Sequence, residues 1–245
     1  MPPIDSGCTD RLTEACSVPD FPGDHFHSDD DGAYLSAPLS GVASAIRFGP
    51  NTSLGRYVIR KSLGQGRVGC AYLARDTVTG ADVAIKVVNV SSGPTPGAGI
   101  MAREKAAFDT IQDLRHVLKV FDLHRAELGG AVFMILAMEY ADGGTFRGWL
   151  NDHRDQPAIR AQQGLIYFRQ MCRGVAATHD AGHCHLDLKP DNVLFVRGVC
   201  KVADLGAAAR NGQLGASNTG MRSEVHSAWG CTPTYSSPEQ LAASF

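Results

Sequence analysis

The stretch HLDLKPDN, His185 to Asn192, decides how the rest of the chain is read. It sets a carboxylate, Asp187, a lysine two positions on, Lys189, and an amide five positions on, Asn192, in one short loop. That set offers a base for a hydroxyl proton, an ammonium for a phosphate and a hard oxygen donor for Mg2+. A plain polar turn would explain Pro190 and Asp191 but not the whole spacing.

Working outward, Asp204-Leu205-Gly206 follows the strand-like run Val199 to Ala203 and supplies a second carboxylate suited to a metal held between phosphates. Upstream, Gly64, Gly66 and Gly69 punctuate a stretch between two strand candidates, where a missing Cβ lets backbone approach a phosphate chain. A dinucleotide fingerprint would need a helix next, whereas the segment after Gly69 reads as strand. On the following strand, Val83-Ala84-Ile85-Lys86 places a lysine among apolar neighbours. A buried ammonium needs a carboxylate, and Glu104 is the only Glu between Lys86 and Glu127.

The organisation around these motifs is legible. Residues 1–55 are rich in Asp, Ser, Gly and Pro, with an acidic run at Ser28 to Asp31, and are expected to form a mobile tail. Residues 56–141 read as a five-stranded sheet plus one helix: strands from Tyr57, over Cys70 to Arg75, Asp82 to Val90, His116 to Leu123 and Ala131 to Glu139, with a helix over Met101 to Leu114. Beyond Asp142-Gly143-Gly144 the periodicity turns helical, with Leu165, Phe168, Cys172, Val175, Ala176 and His179 forming an apolar face. The fold class is therefore α+β, a β-rich half followed by an α-rich half at 142–245.

Composition adds exclusions. With 245 residues, 44% hydrophobic, 20% charged and a net charge of -2, the chain has no basic field for nucleic acid or an anionic membrane. Its longest apolar run, Ala131 to Met138, is too short to span a bilayer. Seven cysteines without a CxxC pair point to reduced thiols rather than disulfides or a zinc ribbon, and the chain is expected to be soluble and intracellular.

Each motif alone is weak or moderate, but their joint order over residues 56–242 resembles the eukaryotic protein kinase family. The resemblance implies a two-lobed kinase-like fold that uses ATP and Mg2+ and phosphorylates a protein Ser or Thr hydroxyl. In that reading Asp187 is the catalytic base and Lys189 its companion, and Asn192 and Asp204 hold metal. The nucleotide would be bound by the Gly-rich loop Leu63, Gly64, Gln65, Gly66, Arg67, Val68 and Gly69, with Ala71, Ala84 and Leu194 around the adenine. Lys86 paired to Glu104 would meet the phosphates, and Met138, Glu139 and Ala141 would form the gatekeeper and hinge. Lys189 and Thr232 resemble the serine/threonine branch.

The departures carry expectations too. Ala71 replaces the more usual Val, Leu205 the Phe of DFG, and Ser237 the Ala of APE. Leu186 replaces the Arg of HRD, the residue that grips an activation-segment phosphate, so the chain resembles non-RD members; with DLG it has a Wee-type likeness. Only Gln240 to Phe245 follow Glu239, so the resemblance implies a complete β-rich N-lobe, only the first part of the helical C-lobe, and a partly uncovered apolar face from Leu165 to Val175. The alternative is a catalytically weak or inactive kinase-like module that binds nucleotide or a protein partner.

Overall fold

The structure is a computed structural model and describes residues 47–66, 69–210 and 232–242. Residues 1–46, most of the tail named above, lie outside the described residues, as do Arg67, Val68 and 211–231.

An antiparallel sheet of six strands comes first: β1 (Ser53–Leu54), β2 (Tyr57–Gln65), β3 (Cys70–Asp76), β4 (Asp82–Asn89), β5 (Val120–Leu128) and β6 (Ala131–Glu139). Their order across the sheet is β1-β2-β3-β4-β6-β5. β6 reads as an unbroken apolar run because both of its faces are covered. Phe133, Ile135 and Ala137 enter one core with Tyr57, Ile59, Tyr72 and Ile85, and Leu136 and Met138 enter a second with Met101, Phe108, Val117 and Leu205.

Three expected boundaries move. The sheet begins before residue 55: Ser53 and Leu54 pair with Val58 and Tyr57, Leu54 is 0% exposed, and Phe48 packs edge-on against Tyr72 and Phe133. The tight turn at Gly55, φ +58°, makes this hairpin possible inside a polar-looking stretch. Helix α1 spans Pro96–Phe108, not Met101 to Leu114. Thr95 caps it by accepting the Ala98 N–H at 3.2 Å and Pro96 occupies the first turn, so a Thr-Pro pair ahead of the expected helix is its start. It ends at Asp109, where the Thr110 hydroxyl donates to the Ala107 carbonyl. The strand expected from His116 starts at Val120; residues 116–118 instead run beside β9 (Val199–Val202), the Leu118 N–H donating to the Val202 carbonyl and the Val202 N–H to that of His116.

The second half contains α2 (Phe146–Asp152), α3 (Pro157–Asp180), the short strand β7 (His183–Cys184), the hairpin of β8 (Val193–Val196) with β9, strand β10 (Ala209–Arg210) paired to β7, and the final helix α4 (Pro238–Ala242). Phe146, Trp149, Tyr167 and Phe195 stack into an aromatic cluster that locks α2 and α3 onto β8. Part of the apolar face of α3 is exposed: Leu165 is 61% and Phe168 58% exposed. What holds α3 is another face, Tyr167, Gly174, Ala177 and Thr178, which carries little hydrophobic signal. A Cβ on Gly174 would sit 2.3 Å from the His116 carbonyl oxygen, so smallness rather than hydrophobicity sets this contact.

Candidate active site

Lys86 projects from β4 between buried Ile85 and Val87. Its ammonium lies 2.9 Å from Glu104 Oε2, 3.2 Å from Oε1 and 3.4 Å from Asp204 Oδ1. Glu104, 3% exposed, faces inward from α1 because Met101, Ala107 and Phe108 beside it anchor the helix in the second core. Burial disfavours the Lys86 charge, but Glu104 and Asp204 outweigh it, and its pKa is raised above the ordinary lysine value. Asp204 is also desolvated, yet Lys86 and His185 hold its carboxyl below the usual range.

Asp204 has left-handed backbone, φ +64°, an uncommon conformation for a residue with a side chain. The turn of 3-10 helix that follows, Leu205–Ala207, packs against α1; a Cβ on Gly206 would lie 2.6 Å from Ile100 Cγ2 and 3.2 Å from Asp204 Oδ1. Glycine at 206 thus permits α1 to approach closely enough for Glu104 to reach Lys86.

Asp187 is the centre of a denser network. Its Oδ1 accepts the Thr232 N–H at 3.0 Å and the Thr232 hydroxyl at 2.8 Å. Its Oδ2 accepts from Lys189 Nζ at 3.0 Å and from Asn192 Nδ2 at 3.1 Å. Lys189 Nζ also donates to the Thr232 hydroxyl oxygen at 2.6 Å, and Asn192 Nδ2 to the Asp187 carbonyl at 2.8 Å. Behind them His185, buried, bridges to the segment that leads into Asp204: the Asp187 N–H donates to its Nδ1 at 3.3 Å, which assigns the proton to Nε2, 3.0 Å from the Ala203 carbonyl. Burial lowers the His185 pKa.

The residues expected around the adenine are apolar, and Ala84 and Leu194 border the second core. Ala84 is the cross-strand neighbour of Met138, and Ala141 packs at the same edge. Ala71 is the cross-strand neighbour of Lys86. Among the Gly-rich residues, Gly66 N–H donates to the Gly69 carbonyl at 2.8 Å, and Leu63, Gly64, Gln65 and Gly66 are exposed. A Cβ on Gly69 would meet the Val87 carbonyl oxygen at 2.3 Å, so this turn folds tightly over β4 next to Lys86. Arg67 and Val68 lie outside the described residues.

The fold therefore gathers Lys86, Glu104 and Asp204 in one charged cluster and Asp187, Lys189 and Asn192 in another, with His185 bonded both to Asp187 and to the Ala203 carbonyl beside Asp204. Among the described residues no group of three or more His, Cys, Asp or Glu forms a closed metal site. The Ala203 N–H donates to the Asn192 carbonyl at 2.9 Å, which brings Asn192 beside the residue before Asp204; an amide and a carboxylate oxygen are donors of the kind Mg2+ accepts alongside phosphates and water. Thr232 is named above only for its likeness to the serine/threonine branch; that its hydroxyl bridges Asp187 and Lys189 follows only from folding the chain, since 45 residues separate it from Asp187.

A β-sheet lobe followed by a helical portion, with these two charge clusters joined through His185, defines the two-lobed kinase class. A profile of the protein kinase domain family matches residues 57–244, and the chain belongs to that family. CBL-interacting protein kinase 11 of Oryza sativa is 30% identical over 197 residues, covering 79% of this chain and 36% of that protein. CBL-interacting protein kinase 9 of the same species is 33% identical, covering 78% and 39%. Serine/threonine-protein kinase PksC of Streptomyces coelicolor is 33% identical over 154 residues, covering 61% and 27%. The chain spans well under half the length of each of these relatives.

Proposed function

We propose that this chain is an ATP-dependent serine/threonine protein kinase that transfers the γ-phosphoryl group of Mg·ATP to a protein hydroxyl. The observation that carries the reading is a hydroxyl, that of Thr232, held 2.8 Å from Asp187 Oδ1 and 2.6 Å from Lys189 Nζ. An acceptor serine or threonine brought to the same carboxylate meets a proton acceptor and, beside it, an ammonium suited to the charge building on the transferred group. Lys86, fixed by Glu104, would contact the α and β phosphates, and Ala71, Ala84, Met138 and Leu194 would bound the adenine. Asn192 and Asp204 would hold Mg2+, which supplies charge neutralisation between the phosphates.

Control follows from Leu186. Its side chain carries no charge, so phosphate on the activation segment has no guanidinium to grip there. The backbone at Leu186, φ +63°, is anchored instead by Gln240, whose Nε2 donates to its carbonyl at 2.8 Å. The chain is accordingly read as a non-RD kinase whose turnover does not depend on activation-segment phosphorylation; with Leu205 it keeps a Wee-type likeness.

The exposed strip of Leu165, Ile166 and Phe168 on α3 favours a second reading, a catalytically weak or inactive kinase-like module that binds nucleotide or a protein partner. Both are tested on the 245-residue chain by a thermal shift with Mg·ATP and by incorporation of labelled γ-phosphate into a basic acceptor protein. Binding with incorporation supports the kinase; binding with none supports the module; the absence of both sinks the pair.

A further inference from the structure

Lys201 is a lysine on β9 whose side chain is 8% exposed, yet it touches neither of the charge groups described above. Its Nζ reaches 2.8 Å to Glu139 Oε2, 62 residues away in sequence, at the end of β6 where the hinge begins. A buried ammonium is strongly disfavoured without such a partner, so the pair selects one arrangement rather than merely decorating a surface.

Its position decides what that arrangement fixes. Lys201 is directly opposite Leu194 in the β8–β9 hairpin, so it shares a face with the residue expected to form the adenine floor. The strand then runs through Val202 and Ala203 to Asp204. The far end of the hinge is already tied to the same hairpin by backbone: the Gly143 N–H donates to the Phe195 carbonyl at 3.1 Å and the Phe195 N–H to the Gly144 carbonyl at 2.9 Å. There the Arg197 N–H also donates to Asp142 Oδ1 at 2.7 Å. At the near end, Glu139 itself exchanges hydrogen bonds with Lys119, its N–H donating to the Lys119 carbonyl at 2.8 Å and Oε2 accepting the Lys119 N–H at 3.4 Å. Among the described residues, the direct polar link from this end to the hairpin is the Lys201 side chain.

We infer that Lys201 is a positioning residue for nucleotide binding: through Glu139 it sets the height of the hinge backbone above Leu194, and hence the width of the adenine slot. The inference rests on the kinase reading of the site, and acts on ground-state binding rather than on phosphoryl transfer. Lys201 touches no group of the Asp187 network, so its loss changes how well the purine is held and leaves the chemistry after binding intact.

A double-mutant cycle on the 245-residue chain tests it, with a fluorescent ATP analogue and Mg2+ as the probe. K201M and E139Q each raise the Kd about tenfold, the double variant is no weaker than either single one, and K201R restores most of the affinity. In K201M, turnover at saturating ATP stays within about twofold of wild type, so KM moves and kcat does not. E139Q keeps the residue's shape, so it reads the same coupling should K201M fold poorly. An unchanged Kd in E139Q, or losses that simply add in the double variant, overturns the inference while the kinase reading stands. A wild-type chain that binds no Mg·ATP overturns both.

Discussion

The Lys86 ammonium sits 2.9 Å from Glu104 Oε2, a contact that joins the central sheet to the one helix packed across it. Because Glu104 is buried, removing the ammonium does two things at once: it takes away a phosphate contact and strands a carboxylate away from water. K86M is expected to lose Mg·ATP affinity by at least tenfold and to cost about 3 kcal/mol of stability. K86M/E104L recovers most of the stability but none of the affinity; urea melts and nucleotide titrations on the two variants separate the effects.

The loop chemistry makes a different demand on Thr232. T232A deletes the hydroxyl shared by Asp187 and Lys189 and frees both side chains to turn; T232S keeps it. Turnover is expected to fall about tenfold or more in the alanine variant, with little change in KM for ATP, and to stay within about threefold in the serine variant. Steady-state kinetics at varied ATP would show the split.

His185 ties stability to pH. Its folded pKa lies below the ordinary 6.5 because burial disfavours the charged ring, despite Ala203, Asp204 and Asp187 pulling the other way. The unfolded chain therefore binds the extra proton first, so this contribution is fully present above pH 6.5 and declines as the pH falls toward the folded value. Urea midpoints should drop from pH 7.5 to pH 5.5, and the drop should be shallower in H185L even though that variant is less stable at pH 7.5.

These contacts show how far the sequence could be read. Asp187, Lys189, Asn192 and Asp204 were legible because a short loop and a short strand set their spacing, so local order stands in for geometry. Glu104 was found by elimination, as the only glutamate in reach of Lys86. Local propensity misplaced the start of α1, where Thr95-Pro96 followed a Gly/Ser/Pro run, and hid β1, where Leu54 looked like tail until the Gly55 turn folded it under the sheet. The face by which α3 is held was illegible for a physical reason: Gly174 contributes by having no side chain, and its partner is a carbonyl from residue 116. Pairings such as Lys201 with Glu139 leave no periodic signal at all, because tertiary folding alone brings them together.

The Gly174 contact is itself testable. A methyl group placed 2.3 Å from the His116 carbonyl oxygen must push α3 off the strand that leads to Asp204. G174A is expected to lose about 3 kcal/mol of stability, whereas alanine at Gly164, where the nearest atom is 4.0 Å away, should be neutral or slightly stabilising. Denaturant unfolding followed by circular dichroism compares the two.

Control is predicted from Leu186. Replacing Ser217, Thr219, Ser223 and Ser227 together by alanine should leave roughly half or more of the activity, because no arginine stands at 186 to use a phosphate on that segment. All four lie outside the described residues, so the argument rests on Leu186 alone. Activity of the variant after phosphatase treatment, set against treated wild type, is the comparison that matters.

The most direct test of the account is the rate of phosphate transfer in wild type against D187N, under saturating Mg·ATP. Asparagine preserves the shape of the hub that Thr232, Lys189 and Asn192 hold, but cannot take the hydroxyl proton. The account predicts label on serine or threonine of the acceptor with wild type, and a fall of about a hundredfold or more with D187N while Mg·ATP affinity is kept. Equal transfer by the two proteins, or none by either while both bind Mg·ATP, would contradict it.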